Sequence, residues 1–409
     1  MTEYEKIQKV LKLGTELNTV QDVDILLERI LYEARKFVSA DAGTIYLKEG
    51  DSLVFAHAQN DTKQALLPPG KKLIYSSFKV PVSRQSISGY VASTGETLCI
   101  HDVYNIDQAS PYSFDSTIDK KSGYMTKSML TFPLINLTGD VLGVLQMINP
   151  LDGRGEAAVF TTEDELYITH FASSASIVLQ RAQMTRSMVL RMIQMAELRD
   201  PKETGPHVNR VASYSVEIYE KWAKNHGVDP EEIEKTRDSL KIAAMLHDVG
   251  KVAISDIILK KPARFTDEEY AIMKSHTYLG ARLFNSKHSV LDSISCDVAL
   301  MHHENWDGTG YPGYIDLETG EALEKNLKGE PLPRKGEEIS LFGRIVSLAD
   351  VFDALSSKRV YKNSWEEGDV LREIAQLSGS KFDPEVVDVF FEVLDVIKSI
   401  QSKYPDKEE

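Results

Sequence analysis

From Asp164 to Leu198 the chain has no proline and no glycine, and Phe171, Ala175, Val178, Ala182, Thr185, Val189, Met192 and Ala196 recur at alternating spacings of four and three. Such a run folds as one helix, and the alternation is the a/d seam of a coiled coil. It predicts a rod closed by Pro201, with a parallel partner helix beside it and hence a homodimer. The same spacing also fits a helix packed within its own chain. In either case the rod separates two folding units, as 409 residues require, since one ordinary core does not grow that large.

Hydrophobic residues make up 42% of the chain and charged ones 27%, the balance of a globular protein and not of a disordered one. No run of about 20 apolar residues occurs, and Met1 to Lys6 lacks the basic start of a secretory signal, which predicts a cytoplasmic protein with no membrane segment. The net charge of -15 argues against duplex nucleic acid as a partner, because duplex affinity comes largely from Lys and Arg neutralising phosphates. Cys99 and Cys296 fall on opposite sides of the rod. A disulfide framework and a thiolate cluster are therefore not expected, and any metal must use nitrogen and oxygen ligands.

Before the rod, Val20 to Val38 carries a helical apolar face (Ile25, Leu26, Ile30, Leu31, Ala34, Val38). Two β-like runs, Ala40 to Leu47 and Leu53 to Ala56, flank a hairpin turn at Lys48 to Asp51, and a second pair, Leu130 to Leu137 and Val141 to Ile148, flanks Thr138-Gly139-Asp140. The order of these pieces, with Val38-Ser39-Ala40-Asp41 entering a strand and Gly139 to Leu145 near the end, resembles the GAF sensory domain over about residues 1 to 180. The resemblance implies an α+β domain, an antiparallel sheet flanked by helices, that binds an unidentified small ligand. Asn149, Phe160, Asp164 and Glu165 look like the pattern of cyclic-nucleotide-binding members, except that Pro150 replaces the lysine of a structural salt bridge. Asp164 and Glu165 also read simply as acidic residues at a helix N-terminus capped by Thr161 or Thr162.

Beyond the rod the chemistry is carried by histidine, seven of the ten lying between His207 and His303. Glu203 and His207 form a first candidate pair. His247-Asp248 ends an apolar helix, with Gly250 releasing the chain so that Lys251 turns back over the site. His276 lies on a predicted helix over Asp267 to Phe284. The densest stretch is His302-His303-Glu304-Asn305-Trp306-Asp307-Gly308-Thr309-Gly310-Tyr311-Pro312, and Asp350, with Asp353 one turn on, puts a carboxylate on an otherwise apolar helix, where burial without a partner is costly.

Together these residues look like the HD-GYP family, a subgroup of the HD-domain metal-dependent phosphohydrolases, from about Val189 to the C-terminus. The domain organisation expected is a GAF sensory domain over 1–165, a connecting and dimerisation helix over 166–200, and an all-α HD-GYP domain over 201–409. The resemblance implies that His207, His247, Asp248 and Asp350 hold one metal. Asp248 then bridges to a second, held by His276, His302 and His303, and Glu203 contributes to a third. Nitrogen and carboxylate donors suit two or three divalent ions, iron or manganese.

The substrate implied is cyclic di-GMP or a related cyclic dinucleotide, opened to pGpG and in some members cleaved to GMP. Paired cations activating water would account for the lack of a serine or cysteine nucleophile. Lys251 and Arg359 would hold phosphate oxygens, with Arg359-Val360-Tyr361-Lys362 as part of the motif. Gly310, Tyr311 and Pro312 would shape the pocket rim, in a loop that in the family also contacts diguanylate cyclases. The stretch Gly313 to Glu338 is longer than the family's connection and reads as either a lid or a surface insertion. A catalytically silent dinucleotide receptor is the rival reading.

Overall fold

The computed structural model describes residues 8, 12–14, 16–68, 71–75, 78–197, 205–286, 289–327, 329–357 and 366–405. Glu203, Pro201 and the Arg359 to Lys362 segment lie outside these described residues. Two compact units divide the chain, Met1–Arg186 and Ser187–Glu409.

In the first unit the two sequence-predicted strand pairs are the centre of a six-stranded antiparallel sheet, ordered β3-β2-β1-β6-β5-β4. The strands are β1 (Ala40–Glu49), β2 (Ser52–Asn60), β3 (Lys79–Pro81), β4 (Leu98–Ile100), β5 (Met129–Ile135) and β6 (Val141–Pro150). Alternation along them sends Ile45, Phe132 and Leu145 to one face and Tyr46 and Val144 to the other. The first face is covered by helix α1 (Val23–Phe37), whose N-cap Asp22 accepts from the amides of Asp24 and Ile25 at 2.9 and 3.1 Å. Helix α2 (Ile87–Thr94) packs Val91 and Ala92 on the second face.

Helix α3 (Thr162–Glu197) is the predicted rod, and its first half corrects the seam reading. Phe171, Ala175, Val178 and Ala182 are buried in their own unit's core, with Leu26, Ile30 and Phe132. Val189 packs into the core of the second unit, and Met192 is 52% exposed. From Phe171 to Ala182 the 3–4 spacing is met by intrachain partners, because a helix packing on a helix and a sheet needs the same stripe as one facing a second copy. At its start, Asp164 exchanges hydrogen bonds with Thr161, accepting from the Thr161 amide at 2.8 Å while the hydroxyl accepts from the Asp164 amide at 3.1 Å. This is a capping box, the structural role open to that aspartate. Asn149 instead binds the chain at 125–128, accepting from the Lys127 and Ser128 amides and donating to the Met125 carbonyl.

The second unit is helical. Helices α4 (Gly205–Asn225), α5 (Pro230–Met245), α8 (Val290–Met301) and α9 (Leu341–Ser356) enclose a core that includes Val211, Tyr214, Ala243, Val298, Ile345 and Phe352. The predicted 267–284 helix is broken at Ser275 into α6 (Asp267–Lys274) and α7 (His276–Arg282). Helices α10 (Glu367–Gln376), α11 (Pro384–Glu392) and α12 (Leu394–Lys403) close the unit. Among the described residues no helix is long and apolar enough to cross a membrane.

The long stretch after Pro312 is anchored at its root. Ile315 and Leu317 join Ala281, Ala299, Leu300 and Ile339 in an apolar cluster, and Arg282 donates to the carbonyls of Leu317 and Glu318. Short bridges pair Ile315 with Ala322 and Lys325 with Pro331.

Gly250 sits in a 3-10 turn (Val249–Ala253) pressed on α7. A Cβ there would overlap the His276 carbonyl oxygen and the backbone of Gly280, so within the turn that brings Lys251 to Asp248 the glycine serves close approach. We therefore expect Gly250→Ala to destabilise the second unit by about 1–3 kcal/mol, the range for overpacking, read as a lowered unfolding temperature in calorimetry. An unchanged transition would show that the turn and α7 can separate freely.

Candidate metal centre

Asp248 follows the last turn of α5 and is buried. Its two carboxylate oxygens face different imidazoles. Oδ1 lies 3.0 Å from His276 Nε2 and 3.5 Å from His302 Nε2, whereas Oδ2 lies 3.3 Å from His247 Nε2 and 2.7 Å from Lys251 Nζ. On the first side Asp248, His276, His302 and His303 bring one donor atom each within 4.8 Å of one another; on the second, His207, His247 and Asp350 do the same. Each of these residues had been singled out from the sequence. They come from α4, the end of α5, the start of α7, the end of α8 and the middle of α9.

Every imidazole but one has its orientation fixed through Nδ1. His247 donates to the Ala244 carbonyl at 2.8 Å, His276 to Met273 at 2.7 Å, and His302 to Val298 at 2.9 Å. His207 Nδ1 lies 2.9 Å from Asp353 Oδ2. A carbonyl oxygen only accepts, so Nδ1 carries the proton and Nε2 presents its lone pair to the cluster. Among the described residues His303 lacks such a tether, but its ring lies 4.1 Å from that of His302 and 5.1 Å from that of His276.

Electrostatics keeps these donors in the ligand state. Burial lowers the pKa of His302, and burial together with the neighbouring His302 and His276 holds His303 well below the usual imidazole range. Burial pushes the Asp248 carboxyl up, but Lys251 and His247 outweigh it and leave it well below the usual carboxylate range. Neutral nitrogens around an ionised carboxylate are what a divalent cation requires. Among the described residues Asp248 Oδ1, His276 Nε2 and His302 Nε2 are buried without a hydrogen-bond partner. Three orphaned acceptors converging within a few ångströms have no structural role in a core, and they fit a metal ion.

The supporting residues were only partly legible. Asp353, noted as one turn beyond Asp350, is fully buried, binding His207 with one oxygen and accepting from Arg210 Nε at 2.6 Å with the other. Arg210 itself carries no motif; its signal was a cation three residues after His207 on the inner face of an amphipathic helix. Glu304 accepts from the Gly313 amide at 2.6 Å, and burial pushes its carboxyl up to about 7. It thereby closes the signature loop on itself. Gly310 is required inside that loop, since a Cβ would overlap the Asn305 amide and the Glu304 backbone. Tyr311 stands beside the centre, its ring 4.9 Å from His303, and the chain turns after it at a cis Tyr311-Pro312 bond. Lys381, half-buried, donates to Asn305 at 3.4 Å and feels the charge of Asp350; no motif pointed to it.

Comparison with known proteins agrees with this geometry. Residues 22–179 match the model of the GAF domain and residues 204–355 that of the HD domain. The chain is 34% identical over 231 residues to 3'3'-cGAMP-specific phosphodiesterase 2 of Vibrio cholerae, covering 56% of this chain and 39% of that one. It is 36% identical over 221 residues to a cyclic di-GMP phosphodiesterase of Thermotoga maritima, covering 54% and 52%. With a cyclic di-GMP phosphodiesterase of Vibrio cholerae it shares 33% over 295 residues, 69% of this chain and 54% of that one. The chain thus spans about half or less of the length of these curated relatives. Its sequence motifs, its two folds and both family matches lead to the same statement: this is a GAF domain followed by an HD domain on one chain.

Proposed function

We propose that the protein is a metal-dependent phosphodiesterase that opens cyclic di-GMP, or a related cyclic dinucleotide, to the linear dinucleotide pGpG, under control of a small ligand at the GAF domain. The observation that carries this reading is the placement of Asp248 between two sets of donors, each oxygen facing its own set. In this reading His207, His247, Asp248 and Asp350 hold one divalent ion, and Asp248, His276, His302 and His303 a second. Iron or manganese suits such nitrogen and oxygen donors. Glu203 would add a third ion's ligand. Bound there, the ions supply the Lewis acidity that lets water attack a phosphodiester at neutral pH.

The chain's own residues then bind and orient. Lys251, now 2.7 Å from Asp248, is within reach of non-bridging phosphate oxygens at the same centre, and Arg359 would join it. Gly310, Tyr311 and Pro312 form the rim against which a base rests. A homodimer built on α3 would use the exposed Met184, Met188 and Met195 and not the buried seam. The signature loop is also the surface for a diguanylate cyclase partner in this reading.

Protein purified without oxygen should contain iron or manganese and convert cyclic di-GMP to pGpG in product chromatography. Asp248→Ala and His303→Ala should abolish turnover while the far-ultraviolet circular dichroism is unchanged. Full metal occupancy with no turnover would instead mark the protein as a dinucleotide receptor.

Asp353 orients His207 and touches none of the reacting atoms, so it is a positioning residue. Asp353→Asn should weaken metal retention by roughly tenfold to a hundredfold, the usual cost of losing an outer partner of a metal-binding histidine. Chelator competition measures this; equal retention in both proteins would remove Asp353 from the centre's support.

A further inference from the structure

The signature tyrosine is the inner half of an aromatic corner whose outer half belongs to no motif. Tyr311 faces His303 across 4.9 Å with the rings 36° apart. Its ring also meets that of His276 at 6.5 Å and, outside the histidine cluster, that of Tyr270 of α6, 6.2 Å away and nearly perpendicular at 76°. One helical turn on, Lys274 holds its Nζ 4.5 Å from the Tyr270 ring and 5.3 Å from the Tyr311 ring. Tyr270 is 44% exposed and Lys274 half-buried. Among the described residues Lys274 makes no ion pair, so two ring faces hold its ammonium while its N–H donors remain for a ligand.

We infer that Tyr270 and Lys274 read a guanine base of the substrate, the tyrosine as a stacking face and the ammonium as a donor to the base edge. This rests on the cyclic dinucleotide reading above. A phosphodiester held at Asp248 must send its ribose and base sideways, and the path His303, Tyr311, Tyr270 is a run of π faces leading outward from that centre. Stacking on such faces accepts any base. The ammonium does not. Guanine presents two adjacent acceptors, O6 and N7, whereas adenine sets the N6 donor beside N7, and a lysine has donors only. Lys274 therefore turns an unselective shelf into one that prefers guanine.

The test compares kcat/KM for cyclic di-GMP, 3'3'-cGAMP and cyclic di-AMP with the metal-loaded full chain. Lys274→Met should shrink the preference for cyclic di-GMP over cyclic di-AMP by about tenfold, mainly through KM, as loss of one base-specific contact implies. Lys274→Arg, which keeps the donors, should retain the preference, and Tyr270→Leu should raise KM for all three alike. Metal content is measured in each variant, because Lys274 lies close to His276. An unchanged preference in Lys274→Met, or a fall shared equally by all substrates through kcat or through lost metal, overturns the inference while leaving the function intact. A wild-type protein that hydrolyses none of the three overturns the function and this inference with it.

Discussion

The second unit depends on an ionised carboxylate buried among its helices. Asp248 is buried, and an isolated carboxylate there would protonate or unfold its surroundings. What holds its charge is Lys251 at 2.7 Å together with His247 at 3.3 Å, while the Nε2 atoms of His276 and His302 face its other oxygen at 3.0 and 3.5 Å. Burial keeps His302 and His303 neutral, so these two offer lone pairs and little charge. The centre is thus electron-rich and under-compensated, and a divalent cation is the group that completes it.

Most of the donors were legible in the sequence because metal chemistry restricts residue type more than it restricts fold. His247-Asp248, His302-His303 and Asp350 stand out wherever they fall, and the dense signature at 302–312 links them to a known pattern. The sheet of the first unit was legible for a different reason. Hairpins such as Ala40–Glu49 with Ser52–Asn60 leave both an alternation and a turn in the sequence.

Other features were not. The short edge strands Lys79–Pro81 and Leu98–Ile100 carry too few residues for a period to show. The interruption at Ser275 between α6 and α7 falls inside a continuous helical pattern, with Ser275 itself at right-handed helical backbone angles and the His276 ring bound to the Met273 carbonyl. The 3–4 repeat of the rod was read correctly as a helix, but a spacing states which face is apolar and not whose residues cover it. Lys274 and Tyr270 were invisible because their meaning lies in a ring forty residues downstream.

The Nδ1 bonds of His247, His276 and His302 reach back to carbonyls three or four residues earlier in the chain, within the same or an adjoining helical turn. The Val298 carbonyl accepts the His302 amide as well as its ring Nδ1, at 3.1 and 2.9 Å. Each of these rings is thus tied to the helical turn just before it, and a turn that unravels also swings its imidazole out of alignment. Fraying of a single turn would misalign a donor atom, so the slowest amide exchange in the unit should be found around these three turns.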